Sequence, residues 1–224
     1  MATVDALCTK FSKIPKSYDQ AYIVAYETEH LAPFVGNKVC EVPAHPDARL
    51  RIFVTNKCLN NIVHNLPLIH ADATYKLNRE DFPTLIIGTT DSQDCFHLLG
   101  LTISTHETKD DFEFMFKAFK TNFNNVLDNS IPGWFREKYT DLKPIKYLVS
   151  DSAAAIHNTF HTVFDGKTSS VNCWFHMKQN LERQGKKILV KEKKRKIIKH
   201  IVFIHGSHNI EVFNKGVKHF MDRW

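Results

Sequence analysis

The apolar positions change their period along the chain, and those changes mark out the elements. From Leu66, three β-branched runs, LPLIHADATY, FPTLIIGTTDS and FHLLGLTISTH, stand between polar turns and predict a three-stranded meander. In DDFEFMFKAFKTNFNNVL the spacing turns helical. Phe112, Met115, Phe116, Phe119, Phe123 and Val126 share one face, behind acids that suit a helix N-terminus. A Gly/Pro-bearing connection, DNSIPGWFREKYTDLKP, leads into IKYLVSDSAAAIHNTFHTVF, which reads as a buried strand ending at Val149, a turn and a helix. SSVNCWFHMKQNLERQ adds a short strand and a further helix. The order β-β-β-α-β-α-β-α predicts a mixed-sheet α/β domain flanked by helices over residues 67–184, because strands joined through a helix lie parallel to a neighbour by a right-handed crossover.

Residues 1–66 read as a small α+β appendage. SYDQAYIVAYETEH suits a helix and CEVPAHPDA a Pro-punctuated loop, and NKCLNNIVHNL suits a short helix. Between the last two, RLRIFVTN alternates Leu50, Ile52 and Val54 with Arg51 and Thr55, the period of a half-exposed strand. Residues 185–224 form a basic, helical third segment.

Composition narrows the class. The chain has 224 residues, 43% of them apolar, enough for one sizeable core plus an appendage. Five cysteines, Cys8, Cys40, Cys58, Cys95 and Cys173, show no CxxC spacing, so neither a disulfide framework nor a four-thiolate zinc site is signalled, and a reducing intracellular setting is expected. No run of about 18 apolar residues and no signal-like start occurs, so a secreted or membrane-spanning protein is not expected. The net charge of +6 favours a polyanionic partner.

Two aspartates attract attention. Asp72 interrupts an apolar run that reads as a buried strand, where a carboxylate needs pairing or a metal. Asp151 follows IKYLVS at the carboxyl end of another strand, where ligands gather in open α/β sheets. If the first and fourth strands of the core are neighbours, the two carboxylates converge, and hard oxygen donors select Mg²⁺ or Mn²⁺. The structural alternative for Asp151 is a helix cap, and for Asp72 a strand-end acid facing solvent.

These residues carry a resemblance. HADATYKL, then YLVSDSAAAI, then VNCWFHMKQNL resemble the transposase domain of Mutator-like elements, a branch of the DDE transposases with a ribonuclease H-like fold, over about Arg49 to Gln184. The resemblance implies two-metal phosphoryl transfer on DNA with Mg²⁺ or Mn²⁺, Asp72 bridging both ions and Asp151 holding one. It also implies a third acid, usually a glutamate in a segment like TNN..E, and no such segment is present. Glu211 is the best acid by position, but its surroundings do not match, and it reads as a solvated acid in the first turn of a helix. A fragment or incomplete copy, inactive by itself, is the expectation, with a homo-oligomeric transposition complex as the context.

The remaining candidates are less specific. The resemblance marks a Cys/His motif at Cys173 and His176, but no second pair stands at zinc spacing, so zinc is not expected and Cys173 reads as a buried small hydrophobe. His157 and His161 have i, i+4 spacing without the glutamate of HExxH and read as helix surface. GKKILVKEKKRKIIKH places Lys186, Lys187, Lys191, Lys193, Lys194, Arg195, Lys196 and Lys199 against Glu192, predicting a helix with one apolar stripe that contacts DNA phosphates or serves as a nuclear import signal. Nuclear localisation is expected accordingly. A domesticated, non-catalytic nucleic-acid-binding or transcriptional protein is the rival from another class, and a nuclease of the same fold acting on RNA is a third reading.

Overall fold

The computed structural model describes residues 4–29, 48–62, 67–130, 145–151, 153–164, 166–188 and 190–224, with the backbone alone for 60–62, 125–130 and 185–188. The connection predicted over DNSIPGWFREKYTDLKP lies mostly outside the described residues, as does the loop CEVPAHPDA apart from Ala48. Two compact units emerge, Met1–Val171 and Asn172–Trp224.

The first unit is α/β, built on a mixed seven-stranded sheet with flanking helices. Its strands are β1 (Tyr22–Glu29), β2 (Arg49–Thr55), β3 (Leu68–Thr74), β4 (Thr84–Thr90), β5 (Phe96–Ser104), β6 (Tyr147–Ser150) and β7 (Ser169–Asn172), in the spatial order β1-β2-β5-β4-β3-β6-β7. The predicted meander is present as antiparallel β3, β4 and β5. β3 pairs in parallel with β6 on its other side, β6 being the strand that α3 joins to the meander. The helices are α1 (Val4–Phe11), α2 (Lys57–Ile62), α3 (Lys109–Ser130) and α4 (Ala154–Val163).

One sheet face carries the core. Ile69, Ala71, Leu85, Ile87, Leu99, Phe53 and Leu148 meet Phe112, Met115, Phe116 and Phe119 of α3 and Ile156 and Phe160 of α4, all buried. The Phe116 and Phe160 rings meet edge to face at 5.8 Å, and Phe164 closes on Phe160 at 4.9 Å. Gly100 is required where it stands, since a Cβ there would meet the Phe53 ring at 2.5 Å.

Two expectations in the N-terminal segment are corrected. The helix predicted in SYDQAYIVAYETEH is the strand β1, antiparallel to β2, and both strands extend the same sheet as the meander. The apolar residues of YIVAYETE fit either period over so short a run, and pairing with β2 decides. β2 is a strand as predicted, but Arg51, Phe53 and Thr55 are its buried positions, while Leu50, Ile52 and Val54 are only half-buried. The guanidinium turns inward because partners wait for it. Arg51 Nε donates to Asp111 Oδ1 at 2.7 Å, and Nη1 donates to Glu27 Oε2 at 2.8 Å.

The second unit contains α5 (Trp174–Ile188), α6 (Lys191–His205) and α7 (Ile210–Arg223). The basic run is therefore not one helix; it spans the end of α5 and the start of α6. Trp174 stacks on His205 at 3.9 Å and 15°, tying the start of α5 to the end of α6. No described helix is long and apolar enough to cross a membrane.

Candidate functional site

β3 and β6 run side by side, Leu68, Ile69 and His70 pairing with Tyr147, Leu148 and Val149. Carrying this register two residues further sets Asp72 level with Asp151. Neighbouring strands lie about 4.8 Å apart, so the paired parts of β3 and β6 are adjacent although distant in sequence, and Asp151 stands one residue past the end of β6. Within β3, alternation puts Asp72 on the sheet face opposite the α3/α4 core, because Ile69 and Ala71 are buried in that core, while Asp151 follows the last residue of β6.

The premise that Asp72 is buried is overturned: its side chain is exposed, the one fully exposed position of β3. The strand is buried on one face only, so the carboxylate keeps contact with water and needs no compensating ion for stability. Its Oδ1 accepts from the backbone N–H of Ala73 at 2.9 Å. The chain just beyond is fastened by the Tyr75 hydroxyl, which donates to the Glu107 carboxylate. Along the same face, Ile86 and then Leu101 lie beside Asp72 across the sheet, both half-buried.

Asp151 is half-exposed, and its Oδ1 accepts from the N–H of Ala153 at 3.1 Å, an Asx-type turn leading into α4. The N-cap position belongs to Ala153, which makes no side-chain cap, so Asp151 orients the turn without capping the helix. The carbonyl of Asp151 accepts from His157 Nε2 at 2.9 Å. That bond fixes the His157 tautomer, leaving Nδ1 to accept from the Ser170 hydroxyl at 3.0 Å. Ser170 also lies 3.5 Å from His161 Nε2, and His161 Nδ1 and the Thr168 hydroxyl are hydrogen-bonded at 2.6 Å. His157 and His161 are thus half-buried and bonded towards β7, not a plain helix surface. Their i, i+4 spacing was the visible signal; the partners around Ser170 were not legible from it.

His70, two residues before Asp72, bonds Thr90 Oγ1 through Nε2 at 2.8 Å, and burial holds its pKa below the usual histidine value. In donor type the acid pair fits a hard divalent cation, with Asp72 and Asp151 as its holders. Among the described residues, no three His, Cys, Asp or Glu side chains cluster as a ready metal site.

The other candidates belong to the second unit. Cys173 is half-buried just before α5, and its carbonyl accepts from Met177 N–H at 3.0 Å, while the half-buried His176 meets the Phe175 ring edge to face at 5.7 Å. Glu211 lies exposed in the first turn of α7 and pairs with Lys215 at 3.2 Å. Lys186 and Lys187 end α5, where only the backbone is described. Lys191, Lys193, Lys194, Arg195, Lys196 and Lys199 lie on α6; among them Lys196 pairs with Glu192 at 3.0 Å, and Lys193 lies over the Trp224 ring at 5.7 Å. Searched against protein-family models and curated proteins, the chain matches none.

Proposed function

We propose that this chain is a metal-dependent phosphoryl-transfer domain acting on DNA, of ribonuclease H-like fold and Mutator-like transposase type. The observation that supports this reading is the parallel pairing of β3 with β6, Leu68–His70 against Tyr147–Val149, whose register carried two residues on would bring Asp72 level with Asp151, just past the carboxyl end of β6. Two carboxylates brought level by a rigid sheet suit Mg²⁺ or Mn²⁺, and a local backbone N–H, of Ala73 or Ala153, orients each one. When bound, such ions activate water and offset charge on a transferring phosphate. The chain's own part is to hold the two acids at fixed spacing, with His157 steadying the backbone of Asp151.

The test is calorimetric Mn²⁺ titration of the wild type, Asp72→Asn and Asp151→Asn. The expected result is binding in the wild type that disappears in both variants. Binding that survives both substitutions overturns the acid pair as the site. A second reading, a non-catalytic DNA-binding protein of the same type, is supported by the basic run that spans the end of α5 and the start of α6. It predicts no Mn²⁺ binding, with DNA binding retained.

A further inference from the structure

Charge is divided unevenly between the two units. Asn172–Trp224 contains 13 Lys and Arg against 4 Asp and Glu, which leaves 17 against 20 for Met1–Val171 out of the total of 30 and 24. The whole basic excess therefore belongs to the helical unit. Within it, α5 and α6 enclose an open groove of about 690 Å³ lined by Gln179, Asn180, Arg183, Lys191, Lys194 and Arg195, four cations against one acid, Glu182. Three of those residues, Gln179, Asn180 and Arg183, precede the basic run and carried no signal in the sequence.

The groove is prepared for an anion in detail. Arg183 Nη2 donates to Asn180 Oδ1 at 2.7 Å, which engages the amide's acceptor and holds the guanidinium beside it. Lys194 Nζ donates to the Glu182 carbonyl at 2.6 Å, which holds the ammonium at the groove wall and occupies that acceptor too. Cations facing one another would repel in an empty groove, and a row of phosphates relieves the repulsion while accepting from every donor. Ile198 adds an apolar lining to the groove. A concave slot between two helices fits a narrow strand, whereas a lipid surface favours a convex helix face.

From this we infer that the groove between α5 and α6 is a binding site for a DNA phosphodiester backbone, with Arg183 and Arg195 as its principal contacts. The inference rests on the proposed action on DNA, yet it is separable from the acid pair. The experiment measures fluorescence anisotropy of a labelled DNA oligonucleotide with the full chain across a salt series. Arg183→Gln combined with Arg195→Gln is expected to weaken binding at least about tenfold and to flatten the slope of log K against log salt by about 2. Lys215→Gln combined with Lys218→Gln removes the same charge from α7 and is expected to weaken binding no more than about threefold. The paired Arg→Lys variants, which keep the charge, are expected to recover most of the affinity. Equal losses in the groove and α7 variants overturn the site, since net charge alone would then explain binding. Stronger groove-dependent binding to RNA or to phosphatidylserine vesicles than to DNA overturns the choice of partner. Wild-type binding in metal-free buffer is expected to keep its dependence on Arg183 and Arg195, so failure of the metal site leaves this result intact and the reverse holds as well.

Discussion

Asp111 shows how one acid can organise a fold without chemistry. Its Oδ1 accepts from Arg51 Nε and from Ser104 Oγ, both at 2.7 Å, and its Oδ2 accepts from Thr108 N–H at 2.8 Å and Thr108 Oγ1 at 2.5 Å. The carbonyl of Thr108 in turn accepts from Asp111 N–H at 3.2 Å, and the bond from Thr108 N–H to the Asp111 carboxylate supplies one half of a capping box at the start of α3. Burial pushes the Asp111 carboxyl up, but the hydrogen bonds from Thr108, Arg51 and Ser104 outweigh it and hold the pKa below the ordinary value. A depressed pKa means that the unfolded chain takes up the proton first. The stabilisation is therefore fully present above the unfolded value of about 3.9 and is lost as pH falls from there through the folded value. Asp111→Asn is expected to cost about 3 kcal/mol at neutral pH, because it leaves the buried Arg51 guanidinium with only the half-exposed Glu27 as a charge partner, and to flatten the acid limb of the stability curve. Urea melts between pH 2 and 7 measure both; a wild-type acid limb in the variant would show that Asp111 is not its source.

Helix α3 draws its stability from its aromatic face. Phe116 is fully buried and touches Phe112, Phe160 and Phe164 at ring distances of 6.5, 5.8 and 6.0 Å, so it joins α3 to α4. Phe116→Ala is expected to destabilise by about 3–5 kcal/mol, the range for emptying a buried aromatic site. Phe175→Ala, at a ring that is 61% exposed on α5, is expected to change stability by less than about 0.5 kcal/mol. Denaturant midpoints compare the two directly. The helical period was legible over the 22 residues of α3 because it persists for many turns. In the eight residues of β1 it was not, because so short an apolar run satisfies the strand and helix periods alike.

At the scale of the molecule, the two units differ in how they hold together. The sheet unit has a continuous core, whereas α6 and α7 contain no buried residue. Their apolar side chains, among them Phe203 at 75% and Met221 at 71% exposure, contribute little hydrophobic stabilisation. Amide hydrogen exchange is expected to be faster by at least about two orders of magnitude in α6 and α7 than in β3, β4 and β5, since local opening there exposes little further apolar surface. Uniform protection across both units would contradict this division. A nucleic acid seated in the groove would slow exchange in α5 and α6 selectively, which links this measurement to the binding experiment.

Local pattern alone determined the meander, the helix at residues 109–130, the strand that ends before Asp151 and the concentration of positive charge near the carboxyl end. Each rests on a period or a composition that neighbouring residues carry between them. Which strands pair, which way Arg51 points, whether Asp72 meets water and where Arg183 lies were decided by tertiary structure. Those outcomes depend on partners far away in sequence: Asp111 for Arg51, the parallel β6 for β3, and α6 for α5. Asp72 and Asp151 were each visible as acids in or just after a strand, but the pairing of β3 with β6 arises from hydrogen bonding between strands separated by β4, β5 and α3, a relation that no local period encodes.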